Sequence, residues 1–191
     1  MAYSKEFISA LNLTTELNLS DSIYTIDQNQ TFGSSSNYIE IRRILTHIFP
    51  EFETHGLANL CVGVSCFMKP YLEKLLGSKL YITNGYYLIE DEKKYHLDKE
   101  SAIEIMRRSK RSDRIDFHTW LTLPSLEIID LTLVSSLARK NKDLPHNDFI
   151  FIHPDNLKAL SYHPVIIGEA FLEKSKYWSK EIFQELSGFQ Y

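Results

Sequence analysis

The chain has 191 residues, 43% of them hydrophobic and 24% charged, which suits one soluble globular domain with a sizeable core. A net charge of −4 excludes nucleic-acid binding driven by overall charge. The aromatic share of 13% favours sheet and a well-filled core.

Residues from Ser4 to Leu17 read as an amphipathic helix, with Phe7, Ile8, Leu11 and Leu17 near helical spacing. Asp27 to Ser36 is polar and aperiodic, so it reads as a loop. Asn37 is placed to cap a second helix over Tyr38 to Ile48, which Pro50 ends. A third helix is framed by Asn59 as N-cap and Gly77 as C-terminal stop. Its apolar residues cover nearly every side, as in a helix buried against a sheet, and Pro70 predicts a kink or restart. Lys79 to Thr83 and Tyr86 to Glu90 flank Asn84-Gly85, the preferred type I′ hairpin turn. Asp98 starts a helix to Arg108. Ile115 to Leu123 and Leu126 to Leu131 read as strands, and Val134 to Lys140 as a short helix. Phe149 to Ile152 and Val165 to Ile167 are short strand candidates, and Glu169 to Leu186 is expected to be helical with a break near Ser179. Helices first, an antiparallel sheet next and helices last make an α+β fold. One domain spans 1–191, with an N-terminal helical part over 1–50, a core over 57–152 and a C-terminal extension over 153–191.

Three residues in order carry the chemistry: Cys61, His118 and Asp130. A thiol, then an imidazole on one strand, then a carboxylate on the next is the layout of a nucleophile, its base and an orienting group. With Asn59 as cap, Cys61 is the second helical residue, where free N–H groups and the helix dipole favour a thiolate and can hold an oxyanion. His118 and Asp130 flank a turn through Pro124-Ser125. If Thr122 lies opposite Leu126, residue 118 faces residue 130 with Cβ atoms about 5 Å apart, and a four-residue loop makes them diagonal neighbours on the same face. A two-residue loop puts them on opposite faces and removes the triad. Trp120 shares the face of His118 and can shield the pair from water. Asn59, or the N–H of Cys61, is the oxyanion candidate.

Each residue also has a plainer explanation: a buried thiol as a small hydrophobe, a structural histidine, and a turn aspartate. Cys66 lies deeper in the same helix, away from the dipole, and reads as a structural thiol. The two cysteines point about 140° apart around a helix, which argues against a mutual disulfide.

Together these segments resemble the transglutaminase-like branch of the papain-like cysteine enzymes. The matching pieces are Leu60-Cys61 opening a helix that ends at Leu76-Gly77, the hairpin through Asn84-Gly85, His118-Thr119-Trp120, and Ile129-Asp130-Leu131-Thr132. The stretch is Asn59 to Thr132, under half of the chain. The resemblance implies a papain-like or transglutaminase-like core with the nucleophile-bearing helix packed on an antiparallel sheet. It also implies acyl transfer through a thioester, as in peptidases, amidases, deamidases and crosslinking transferases. Leu60 stands where a Gly, Asp or other polar residue is common, and Leu131 where Pro is frequent. The Arg-Gly-Gly stretch of arylamine acetyltransferases is absent. These departures leave a catalytically inactive, protein-binding domain as the alternative.

Arg107, Arg108, Lys110, Arg111 and Arg114 form a basic run that reads as a solvated loop, or as a patch for an acidic partner. The seven histidines show no paired ligand spacing and there is no Cys-x-x-Cys, so no metal or other cofactor is expected. Met1 to Ser9 lacks a leader-like pattern and no apolar run spans a bilayer, so a cytoplasmic, reduced setting without a membrane partner is expected. The expected substrate is a peptide or protein.

Overall fold

A computed structural model describes residues 2–20, 23–110, 112 and 114–179. The fold is α+β: a curled antiparallel sheet with helices on both sides. Helix α1 (Ala2–Glu16) is followed by α2 (Ser35–Ile48), the single turn α3 (Phe52–His55) and the central helix α4 (Cys61–Leu76). Strands β1 (Tyr81–Ile89) and β2 (Glu92–Lys94) precede α5 (Lys99–Arg107). Strands β3 (His118–Thr122) and β4 (Ile128–Asp130), helix α6 (Leu133–Ala138), strands β5 (Ile150–Ile152) and β6 (Leu160–Ile167), and α7 (Ala170–Lys174) complete the described elements.

Local chemistry sets most of these boundaries. Asp98 caps α5 through a reciprocal box: its carboxylate accepts from Ser101 N at 2.8 Å while Ser101 Oγ accepts from Asp98 N at 2.9 Å. Gly77 takes the left-handed conformation that closes α4. Helix α2 begins earlier than expected because Ser34, not Asn37, accepts the capping N–H; Asn37 instead donates its amide to Phe32 O at 2.8 Å. After α7 the chain leaves the helix at Ser175, short of the break expected near Ser179. The part of the expected C-terminal helix from residue 180 onward lies outside the described residues.

The largest departure is at Asn84-Gly85. These residues form no turn; they lie in the middle of β1, a continuous strand paired with both β3 and β6. Gly85 is required by close approach: a Cβ there would stand 2.1 Å from His163 O and 2.9 Å from the Trp120 ring. Asn84 is buried and takes part in the sheet, accepting from Thr119 Oγ1 at 2.9 Å and donating to Gly168 O at 3.3 Å. The turn of I′ type falls instead at Glu90-Asp91, both with positive φ, between the paired residues Ile89 and Glu92. The short strand β2 that follows is charged and exposed, as suits an edge.

The sheet order is β2-β1-β3-β4-β5, with β6 on the other side of β1. Strand β6, in the segment after residue 152, thus pairs with the central β1. A bulge skips Val165, so Tyr162 and Ile167 both reach one core layer despite their odd spacing. That layer lies beneath α1 and holds Phe7, Tyr81, Tyr87, Trp120 and Ile128. The opposite layer holds Cys61, Met68 and Leu72 of α4 with Ile82, Leu121 and Ile129 of the sheet. Both faces of β3 are therefore covered, and every residue of that strand is buried.

Candidate active site

The hairpin joining β3 and β4 decides whether His118 can meet Asp130. Leu123 and Glu127 close a loop of Pro124-Ser125-Leu126, with Leu126 left-handed at φ 69°. This is a turn ending in a left-handed residue, the usual three-residue hairpin loop. The observed register, Leu121 opposite Ile129 and Thr122 opposite Ile128, is not the direct Thr122–Leu126 pairing weighed above, because the three-residue loop lies one position later, over 124–126. It places Trp120 across from Asp130 and makes His118 the diagonal neighbour, on the same face. An imidazole is long enough to bridge the diagonal. His118 Nε2 lies 2.6 Å from Asp130 Oδ2, with both side chains at 2% exposure or less.

Asp130 is a heavily bonded carboxylate. Its Oδ1 accepts from Thr132 N at 3.0 Å, Thr132 Oγ1 at 3.3 Å and Leu133 N at 3.0 Å, which also turns the chain into α6. Its Oδ2 accepts from Tyr162 Oη at 2.8 Å besides His118. Burial alone would raise its pKa. The His118 charge and these donors hold it below the ordinary carboxylate value instead.

Cys61 sits in the layer on the other side of the sheet from the His118 ring, but it is the first residue of α4 and His118 the first of β3. The two meet at this corner. Burial works against the imidazolium, yet the Asp130 carboxylate and the Cys61 thiol raise the His118 pKa to about 10. The contact with the thiol is the looser of the two, since His118 Nδ1 is buried without a partner at hydrogen-bond geometry among the described residues. Cys66, five residues after Cys61 in α4, has its thiol pKa pushed well up by burial.

Four aromatic rings enclose the imidazole. Trp120 stacks at 6.1 Å between centroids and Tyr95 at 5.8 Å, Tyr87 meets it edge-on at 5.2 Å, and Tyr162 is tilted at 6.5 Å. Trp120 Nε1 is anchored by Tyr3 Oη at 2.9 Å, so the expected shield of the imidazole is tied to α1. Tyr95 is only half-buried and holds a left-handed φ of 68° in the loop leaving β2. Burial raises the pKa of both Tyr87 and Tyr95.

Asn59 does not take the position expected of it. The N-cap is Leu60, so Cys61 is the first helical residue rather than the second. Asn59 is exposed in the left-handed region at φ 64°, where Asn is tolerated, and its N–H donates to Ser136 Oγ at 3.1 Å. No described hydrogen bond brings its side chain to the His118–Asp130 pair. The N–H of Cys61, at the first turn of α4, has no partner within the helix.

In the basic run, Arg108 pairs with Glu104 at 3.3 Å and Arg114 with Asp116 at 3.1 Å, while Arg111 lies outside the described residues. Among the described residues no group of His, Cys, Asp and Glu side chains is placed to hold a metal ion, and no helix is long and apolar enough to cross a membrane. Tyr87, Tyr95 and Tyr162 escape a reading of the sequence, because separate segments deliver them and no spacing links them to His118. A scan against protein-family models, a search of curated proteins and a search of solved structures each found no match.

Proposed function

We propose that this chain is a cysteine-dependent acyl-group enzyme with Cys61 as nucleophile, His118 as general base and acid, and Asp130 as the orienting carboxylate. One observation carries the reading: a fully buried imidazole is fixed through Nε2 to Asp130, while its Nδ1 has no partner at hydrogen-bond geometry among the described residues and faces a helix-terminal thiol that perturbs it. A buried polar atom left unpaired costs roughly 1–3 kcal/mol. Such a cost is most readily explained by a role in chemistry.

The arrangement supports a papain-like or transglutaminase-like core. In the resting pair the Cys61 proton is held on His118, whose pKa is raised, against burial, by Asp130 and Cys61, and the thiolate attacks the acyl carbon of an amide or peptide-like bond. The Cys61 N–H steadies the oxyanion. The C–N bond then breaks and His118 returns the proton to the leaving amine, leaving a thioester. Water yields hydrolysis; a second amine yields transfer. Asp130 holds the tautomer and stabilises the imidazolium throughout. No cofactor enters these steps, and a peptide or protein is the substrate class.

Closure of the site favours a second reading. Cys61 retains only 5% of its surface and Tyr95 covers the imidazole, which also suits an inactive domain of this architecture that binds a protein partner. Acylation with p-nitrophenyl acetate separates the two. The enzyme reading expects a burst of nitrophenolate and an acetyl adduct on Cys61 by mass spectrometry, both lost in Cys61→Ser and strongly slowed in His118→Ala. No burst, or an adduct indifferent to His118, overturns it.

A further inference from the structure

We propose that Tyr162 is a positioning residue of this site, its hydroxyl competing with His118 for one oxygen of Asp130 and so setting how tightly the carboxylate grips the imidazole. The inference rests on the Cys61–His118–Asp130 reading for its function, though its physical content needs only the pair.

Both donors meet at Oδ2, Tyr162 Oη at 2.8 Å and His118 Nε2 at 2.6 Å. Oδ1 is already engaged by the start of α6, so the carboxylate is not free to rotate and offer another oxygen. Tyr162 is itself fixed. It is 2% exposed, paired with Tyr87 across β1 and β6, and packed edge-on against Trp120 at 5.0 Å. Its hydroxyl therefore stays on Oδ2 as a built part of the site.

A hydrogen bond to an anion withdraws charge from the acceptor. With Tyr162 in place, less of the Oδ2 charge falls on the imidazolium, and the proton on His118 is easier to release to the leaving amine. Without it, the His118–Asp130 bond tightens and the histidine becomes a poorer acid. Cys61 from α4, Tyr87 from β1, Tyr95 from the loop after β2 and Asp130 from β4 are the other titratable groups facing the ring. None of the three besides Asp130 donates to Oδ2, which leaves Tyr162 as the group that tunes this oxygen.

The test reads the proton between Nε2 and Oδ2 by NMR of the full chain, in a Cys61→Ser background that removes the thiol. Tyr162→Phe is expected to move this resonance to lower field. 3-Fluorotyrosine placed at 162 by codon suppression, a stronger donor of the same shape, is expected to move it to higher field. An unmoved resonance, or the same direction for both replacements, overturns the proposal; if Tyr162→Phe does not fold, the fluorotyrosine shift decides alone. A merely structural tyrosine would not produce opposite shifts. Because Cys61 is absent, this outcome is independent of whether the thiol reacts.

Discussion

His118 and Asp130 are diagonal neighbours on adjacent strands, and the 2.6 Å bond between Nε2 and Oδ2 crosses from one cross-strand pair to the next. The diagonal matters because the position directly across from Asp130 belongs to Trp120. The indole thus packs beside the imidazole instead of being displaced by it, and the pair is shut away from water. A buried pair of this kind is weakened little by salt.

Stability should fall on the alkaline side. The folded His118 pKa of about 10 is above the ordinary histidine value, so the folded state holds a proton that the unfolded state releases. That contribution is complete below about pH 6.5 and drains away as pH rises toward 10. Asp130 works in the opposite direction: its depressed pKa contributes above the ordinary carboxylate range and is lost in acid. Urea melts between pH 6 and 10 should show a decline that is clearly shallower in His118→Phe.

Removing the carboxylate leaves the imidazole buried and unpaired. Asp130→Ala is expected to cost roughly 3–5 kcal/mol in a denaturant melt, the usual range for breaking one side of a buried ion pair. The loss of the tautomer-fixing group should also slow acylation of Cys61 by about two orders of magnitude or more. Acylation at the wild-type rate in the folded variant would remove Asp130 from the mechanism.

Gly85→Ala tests why the Asn-Gly pair is a strand interior. The added methyl collides with His163 O and with Trp120. Overpacking of this kind costs roughly 1–3 kcal/mol, and a backbone obstacle puts the change at the upper end. A thermal melt reads it directly.

Glu127 should pin the loop before α2. Its buried carboxylate accepts from Phe32 N at 2.7 Å, Gly33 N at 2.8 Å and Ser125 Oγ at 2.8 Å. Glu127→Ala orphans these donors and is expected to cost roughly 1–3 kcal/mol. Limited proteolysis should then cut within 27–33 sooner than in the native protein.

Much of this fold is legible in the sequence where one local rule dominates. The N-cap at Asp98, the left-handed stop at Gly77 and the apolar α4 each follow from short-range chemistry. Cys61, His118 and Asp130 stand out because their residue types and order carry a chemical meaning. Asn84-Gly85 misleads because Gly serves both turns and close approach, and only the partner strand reveals which. Glu90-Asp91 makes the turn without the usual residues, so nothing local marks it. The register of the β3–β4 hairpin depends on Leu126 adopting a left-handed conformation, which few would assign to leucine. The aromatic enclosure is assembled across four separate stretches of chain, beyond the range of any periodicity.

The central claim, that Cys61 is a nucleophile activated by His118, is tested most directly by alkylation of the native protein with iodoacetamide across a pH series. Mass spectrometry locates the modified cysteine, and His118→Ala is run beside the native chain. The account predicts that Cys61 is modified well ahead of Cys66, and that the variant loses this preference in the neutral and mildly acidic range. Slow modification of both cysteines, unchanged by the variant, would contradict it.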